Sequence, residues 1–375
     1  MILLGAGASK PFGIRTLQEM TDSIVEIMKE QGYGEIAERI ISHLRKFGMT
    51  PDFEAIYTVV EGLTDLPQTI KDSGPFTAYV CKDLDQIKPK DDLRRLSQVF
   101  REFVYRECRF KPKYHSEILE TYDRLFGITH GYPERRCLTG VEMEKQPLVD
   151  VGSTIVTTNY DMILESYFAM KPLPFDDGFR EIAGKPQIRE LNLATFSSAS
   201  HKWIVKLHGS IWQYGDQGKI FSANQAPETI ELFPVRIQER MMIYPTGEKP
   251  ILHHPYFDFY SIFKTQRWQQ LVAIGYSFRD EPINIAILEN LQKTKDSKLI
   301  VVNPSPEGVL KNLGVADLQT LNEQIVPVEG EFGKEETARK LELALRVPSR
   351  DRFFERLPKW LADYANESLF SLLDL

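Results

Sequence analysis

Asn159 and Asp161 stand two apart in the run Thr157-Thr158-Asn159-Tyr160-Asp161, and His208 is followed directly by Gly209. An amide both donates and accepts, a carboxylate accepts, and an imidazole titrates near neutrality. That combination suits gripping a ribose, placing a water and moving a proton. Each residue also has a plainer reading. Asn or Asp ahead of Met162, Ile163 and Leu164 caps a helix, and a lone His at a strand end is commonly structural. Three further motifs share the pattern of an apolar run ending in small or polar residues. Gly5-Ala6-Gly7-Ala8-Ser9 follows Ile2-Leu3-Leu4. Such a glycine turn lets a backbone approach a phosphate and present N–H groups to pyrophosphate oxygens, or is simply a tight turn. Lys10 sits where a third glycine of a dinucleotide fingerprint would be, and no Walker lysine is present. Gly275-Tyr276-Ser277 follows residues 271–274, with Asp280 placed to cap the next helix. Asn303 ends residues 299–302 and reads as a ribose contact or a turn former.

No metal centre is expected. His253 and His254 are adjacent with no supporting carboxylate or Cys spacing, and Asp52 and Glu54 read as a helix start.

The elements that must position these motifs change character along the chain. Residues 2–4 form a short buried strand, and Thr16-Leu17-Gln18-Glu19 has the capping-box form that starts a helix at Leu17. Leu17, Met20, Ile24 and Ile27 keep helical spacing, as do Ile36, Ile40 and Leu44. So do Leu93, Leu96, Phe100 and Phe103, and then Ile118, Tyr122 and Leu125. Residues 48–52, 62–67 and 111–113 carry Pro or Gly and separate these helices. After about residue 150, β-branched runs at 153–157, 203–207, 271–274 and 299–302 predict buried strands. Strands of that kind point to a parallel sheet covered on both faces, with ligands at the strands' carboxyl ends. The tail from Gly333 reads as helical and strongly apolar, an element that docks on the body or on another subunit.

Composition narrows the function classes. The 375 residues carry 46 Lys and Arg against 53 Asp and Glu, a net charge of −7, which gives no support for autonomous nucleic-acid binding. No apolar run approaches membrane-spanning length, and no basic segment precedes an apolar stretch as in a signal peptide. Three cysteines, Cys81, Cys108 and Cys137, offer neither a disulfide framework nor a four-cysteine zinc site, so a reducing cytoplasm fits.

Taken in order, residues 5–9, residues 157–161, His208-Gly209, residues 275–277 and Asn303 resemble the sirtuin (silent information regulator) superfamily. Its pattern runs GAG-[AIV]-S, T-x-N-x-D, H-G, G-x-S and a terminal Asn strand. The resemblance covers roughly residues 1–310 as a sirtuin-like NAD-binding domain, with a helical insertion at about 15–150. Residues 311–375 form a strand and helical tail that would serve in oligomerisation. The implied fold is α/β, a Rossmann-like, mostly parallel sheet with helices on both faces. The implied ligand is NAD⁺. Gly5, Ala6, Gly7 and Ser9 would hold the pyrophosphate, with Thr157 and Gly275 in the same binding set. Ser277 and Asn303 would lie toward the adenosine half, and Asn159, Asp161 and His208 would surround the nicotinamide ribose.

Two departures direct the resemblance. No cysteine follows Cys137, so the zinc module of protein deacetylases is absent. Gly13-Ile14 continues as Arg15-Thr16-Leu17-Gln18 in place of their Pro-Asp-Phe-Arg run. Members lacking both features are largely bacterial antiphage effectors that hydrolyse NAD⁺, and this chain resembles the sirtuin-like subunit paired with a HerA-type ATPase. The resemblance therefore implies an NAD⁺ glycohydrolase in a homo-oligomer. Its rivals are a module that senses NAD⁺ or ADP-ribose for the ATPase, and an NAD-dependent protein deacylase. Residues 214–260, rich in Pro and aromatics, are a candidate cover for the pocket.

Overall fold

The structure is a computed structural model. It describes residues 1–64, 90–130, 154–171, 175–193, 202–216, 219–223, 239–242, 256–314, 321 and 323–346. Cys81, Cys137, Ser153, His253, His254 and the tail beyond residue 346 lie outside the described residues.

The chain opens with β1 (Ile2–Leu4), fully buried, and turns at once into the single helical turn α1 (Ala6–Ser9). The glycine turn expected there is thus helical. Among the described residues four longer helices follow: α2 (Leu17–Glu30), α3 (Gly34–Lys46), α4 (Phe53–Thr64) and α5 (Lys90–Glu107). The Thr16 capping box forms as the sequence predicts, with Thr16 N–H donating to Glu19 Oε2 at 2.7 Å and Glu19 N–H donating back to Thr16 Oγ1 at 3.4 Å. Asp52 Oδ1 accepts from Ala55 N–H at 2.9 Å and so caps α4. Of the break expected over residues 62–67, Gly62 is still buried inside α4, whose last described residue is Thr64, and residues 65–67 lie outside the described residues. On α2 the buried stripe ends on Met28 and leaves Ile27 half-buried, one position from the expected stripe.

Then come α6 (His115–His130), β2 (Thr154–Thr157), α7 (Ile163–Met170) and β3 (Phe175–Asp176). Next are β4 (Phe179–Ile182), β5 (Lys185–Leu191), β6 (Lys202–Lys206), β7 (Gly209–Asp216), β8 (Lys219–Ala223) and β9 (Glu239–Met242). The chain continues through α8 (Tyr256–Thr265), β10 (Gln270–Ile274), α9 (Glu281–Lys293), β11 (Lys298–Asn303) and α10 (Pro306–Leu310). The last described elements are β12 (Ile325–Glu329) and α11 (Glu335–Arg346).

These elements fall into two compact units. The first holds Met1–Ala8, Ser116–Val156 and Ile262–Leu375. Its strands lie in the order β12-β11-β10-β1-β2, with β1 to β10, β10 to β11 and β11 to β12 all parallel. Ile2, Leu3, Val272, Leu299 and Ile300 are wholly buried, the continuous apolar run expected of strands covered on both faces. α11 packs on β11 and β12, so the helix expected after Gly333 docks on its own unit.

The second unit holds Ser9–His115 and Thr157–Ser261. Its helical part has one apolar core in which Ile24, Ile40, Ile56, Leu96 and Phe100 are buried beside Met162 and Ile211. Tyr57 stacks on Phe100 at 5.1 Å between ring centroids. β3 and β6 pair in parallel. A separate antiparallel sheet runs β4-β5-β8-β7-β9, a feature that the sequence reading does not contain. Gly184, at φ 76°, makes the two-residue turn between β4 and β5. Part of the stretch expected to cover a pocket, from Tyr214 onward, therefore forms β7, β8 and β9.

Candidate functional site

In the first unit the chemistry-bearing residues sit just beyond the carboxyl ends of parallel strands. Gly5 follows β1, Gly275 follows β10 and Asn303 closes β11. The two glycine loops touch each other. Gly5 N–H donates to Ile274 O at 2.9 Å, and Gly7 N–H donates to Gly275 O at 3.0 Å. A Cβ on Gly275 would lie 2.3 Å from Ala8 N and 2.4 Å from Gly7 C, and one on Gly7 would lie 2.8 Å from Gly275 Cα. Glycine is required here because backbone meets backbone. The amides of Gly5 and Gly7, expected to face pyrophosphate oxygens, are already spent on the neighbouring loop.

Residues 275–280 are held in an uncommon shape. Phe278 has φ 53°, a conformation that side chains other than glycine seldom adopt. It persists because the ring is wholly buried, edge-on to Tyr276 at 4.9 Å, and because Asn284 Nδ2 donates to Phe278 O at 2.7 Å. Asn284 Nδ2 also donates to Asn312 O at 3.0 Å, and Asn312 Nδ2 donates to Ser277 O at 3.0 Å. The Ser277 side chain is exposed. Asp280 occupies the position before α9 but makes no side-chain capping bond, in contrast to the expected cap. Asn303 Oδ1 accepts from Ser305 N–H at 3.0 Å, so the turn-forming reading of that residue is realised.

In the second unit Ser9, Asn159 and Asp161 come together. Ser9 Oγ donates to Asp161 Oδ2 at 2.7 Å, and Asn159 Nδ2 donates to Ser9 Oγ at 2.9 Å. The order of donors follows from chemistry. An ionised carboxylate only accepts, so Ser9 spends its single proton on Asp161, and its oxygen then calls for the NH₂ end of Asn159. The amide of Asn159 donates to Thr157 Oγ1 at 3.0 Å, and Asp161 Oδ1 accepts from Ile163 N–H at 3.0 Å. Asp161 therefore braces the start of α7, close to its helix-capping reading, and its other oxygen is held by Ser9. Ser9 and Asp161 are buried at 2% and 5% exposure, so their hydrogen bonds act in a low dielectric. His208 is also buried, its ring 6.3 Å from that of Tyr160.

Two residues of this region lie outside the sequence reading. Lys206, at the end of β6, forms an ion pair with Glu165 of α7 at 2.9 Å; the Lys206 side chain is 4% exposed and that of Glu165 11%. Burial pushes the Glu165 carboxyl above its ordinary range, and the Lys206 ammonium acts against that shift. The signal was present in Trp203-Ile204-Val205-Lys206-Leu207: a lysine inside a buried strand demands a partner. Cys108 is buried beside Asp161 and Lys206, and burial first, then the Asp161 charge, hold its thiol protonated far above the usual range. Among the described residues no group of three or more His, Cys, Asp or Glu is placed to hold a metal ion. No helix among them is long and apolar enough to cross a membrane.

Residues 153–321 match the family model of the SIR2-like domain. No curated protein sequence matches the chain. Among solved structures the chain is similar to a Sir2 homologue–NAD complex, at 15% identity over 92% of this chain and 90% of that one, with a TM-score of 0.39. It is also similar to a Sir2 homologue mutant in complex with 2′-O-acetyl ADP ribose, at 15% identity, 92% of each chain and a TM-score of 0.40. A Sir2 homologue mutant–ADP ribose complex gives 14% identity, 92% and 93% coverage and a TM-score of 0.40.

Proposed function

We propose that this chain hydrolyses NAD⁺ to nicotinamide and ADP-ribose. The observation that carries the reading is the buried Asn159–Ser9–Asp161 chain of hydrogen bonds within a strand-end arrangement, in a protein whose residues 153–321 match the SIR2-like domain.

In this reaction the bond between ribose C1′ and the pyridinium nitrogen breaks, and its electron pair neutralises the nicotinamide. No acid is needed for the leaving group. What remains is an oxocarbenium-like ribose, to which water adds and from which one proton is lost. Asp161, buried and fixed by Ser9 and Ile163, supplies the negative charge that stabilises that cation. Ser9 fixes the Asn159 carboxamide by its NH₂ end, so its oxygen is the end that orients the attacking water or a ribose hydroxyl. His208 takes the proton. The space that a side chain on Gly5 or Gly7 would fill is taken by the Gly275 loop, so these glycines shape the turn, and the pyrophosphate lies along Gly5, Ala6 and Gly7 in this reading. Thr157 Oγ1 holds the main-chain N–H of Asn159, Gly275 belongs to the cofactor-binding set, and Ser277 and Asn303 face the adenosine half in this reading.

The resemblance in the sequence extends the proposal to a role in bacterial antiphage defence, in the cytoplasm, as a homo-oligomer working with a HerA-type ATPase. The test is chromatography of NAD⁺ incubated with the purified wild type, Asn159→Ala and His208→Ala, with and without the ATPase. Equal amounts of nicotinamide and ADP-ribose are expected from the wild type, with rates reduced by about 10²-fold or more in the variants. Near-wild-type rates in both variants refute the site, and product formation only with an acyl-lysine peptide refutes the reaction.

A further inference from the structure

Behind the Asn159–Ser9–Asp161 cluster lies a buried strut. Lys206, with a side chain 4% exposed, directs its ammonium at three partners. It donates to the main-chain oxygen of Asp161, pairs with Glu165 Oε1 at 2.9 Å and reaches Ser210 Oγ at 3.4 Å. Ser210 Oγ in turn lies 3.1 Å from Tyr160 O and 3.0 Å from Met162 Sδ. Main-chain bonds from Leu207 N–H to Thr157 O at 2.9 Å and from Ile211 N–H to Tyr160 O at 3.1 Å flank the strut. One side chain therefore ties the loop that carries Asn159 and Asp161 to the turn that carries His208.

Stability alone does not account for this arrangement. Desolvating an ion pair costs as much as the pairing returns, and well-packed apolar replacements are often neutral. Glu165 Oε2, moreover, is buried and accepts no hydrogen bond from a described residue. Charge balance gives the pair a purpose. Asp161, Glu165 and Lys206 carry two negative charges and one positive. Glu165 cancels the ammonium, so the Asp161 carboxylate keeps one whole negative charge for a cationic ribose. Without Glu165 the ammonium would oppose that cation. Without Lys206 the Asp161 main chain would lose its anchor.

We propose that Lys206 and Glu165 are positioning residues for the reaction inferred above: Lys206 fixes the Asp161 loop against the His208 turn, and Glu165 neutralises the ammonium that does so. This inference rests on the NAD⁺-hydrolysis reading, and the experiment separates the two. Lys206→Met, Glu165→Met, the double variant and the conservative Lys206→Arg are compared with wild type. Three readouts are taken: kcat and KM for NAD⁺, the thermal midpoint, and hydrogen–deuterium exchange over residues 157–164.

Each single Met variant leaves one buried charge unpaired, so its midpoint is expected to fall. The double variant removes both charges and is expected to recover the midpoint. Its kcat is expected to stay at least about 10-fold below wild type with KM within roughly threefold, the signature of lost transition-state geometry. Exchange at the Asp161–Ile163 amides should be faster in the double variant, and Lys206→Arg should retain more of kcat than Lys206→Met. Recovery of kcat together with the midpoint overturns the proposal, because the pair would then be structural only. A wild type that leaves NAD⁺ intact refutes the functional reading instead. Exchange in the folded double variant then decides the strut: faster exchange sustains it and unchanged exchange removes it. If the double variant does not fold, Lys206→Arg decides. Wild-type exchange with kcat closer to wild type than that of Lys206→Met supports the strut, and kcat no better than Lys206→Met overturns it.

Discussion

Gly275→Ala is the sharpest test of how the two glycine loops are built. The new Cβ would stand 2.3 Å from Ala8 N and 2.4 Å from Gly7 C, where ordinary contact begins at 3.4 Å. Both neighbours are backbone, so neither can rotate aside, and the loops must part by about 1 Å. That opening stretches the bond from Gly7 N–H to Gly275 O from 3.0 Å to about 4 Å, which breaks it. It also strains the bond from Gly5 N–H to Ile274 O at 2.9 Å. Each lost bond costs about 1 kcal/mol net. The left-handed backbone at φ +60° costs an alanine about 1 kcal/mol more. The expected loss is about 2–3 kcal/mol. Gly314→Ala is the internal control. It shares the left-handed backbone, at φ +77°, but nothing lies within 4 Å of its Cβ, so only the strain of about 1 kcal/mol applies. Urea unfolding of the two variants at matched slope measures the difference. A midpoint for Gly275→Ala at or above that of Gly314→Ala refutes the reasoning. If ADP-ribose binds along α1, calorimetry should also find it weakened in Gly275→Ala and unchanged in Gly314→Ala.

Ser9→Ala removes the group that joins Asn159 to Asp161, and is expected to lower kcat by about 10-fold or more in a stably folded protein. Unchanged kcat, measured by nicotinamide release, would show that the hydrogen-bond chain is dispensable. Thr16→Ala should cost about 1 kcal/mol of stability through loss of the α2 cap, read from the urea midpoint, and no loss would mean that the box contributes nothing. The main-chain N–H of Thr16 beside Glu19 lowers that carboxyl below its ordinary 4.5. Its contribution is therefore present above pH 4.5 and lost as pH falls through the lower folded value, a loss that Glu19→Gln should flatten. Burial lowers the Lys298 ammonium from 10.5 to about 8. Between those values the unfolded chain holds a proton that the folded chain lacks, so stability rises with pH across that window on account of this group. Lys298→Met should remove that rise, and equal midpoint changes between pH 8 and 10.5 in variant and wild type would refute it.

Much of the element pattern was legible because local rules act over a few residues. Thr16 and Glu19 meet three apart on one helix turn whatever packs around them. The apolar runs at β1, β6, β10 and β11 read as buried strands because each is short, β-branched or aliphatic, and bounded by turn formers. The antiparallel sheet from β4 to β9 was harder to see. Its strands mix half-buried and exposed positions, as in Phe179–Ile182, and their register depends on partners distant in the chain. The same limit explains the difference on α2, where Met28 is fully buried in a core completed by other helices and Ile27 packs only at its margin.

The sequence by itself determined which residue types stand at the strand ends, and hence that Ser9, Asn159, Asp161 and His208 were candidates for chemistry. Tertiary structure decided what each one meets. Ser9 and Asp161 are 152 positions apart, and their 2.7 Å bond exists only because two loops are brought to one place. Likewise Gly5 and Gly7 read as a phosphate turn in the sequence, yet their amides bond the Gly275 loop 268 or more positions away. Lys206 was not singled out in the sequence, and only the fold surrounds its ammonium with Asp161, Glu165 and Ser210. Residue type and short spacing fix what a group can do. Which partner it does it with is set by packing between segments far apart in the chain, and no local pattern encodes that.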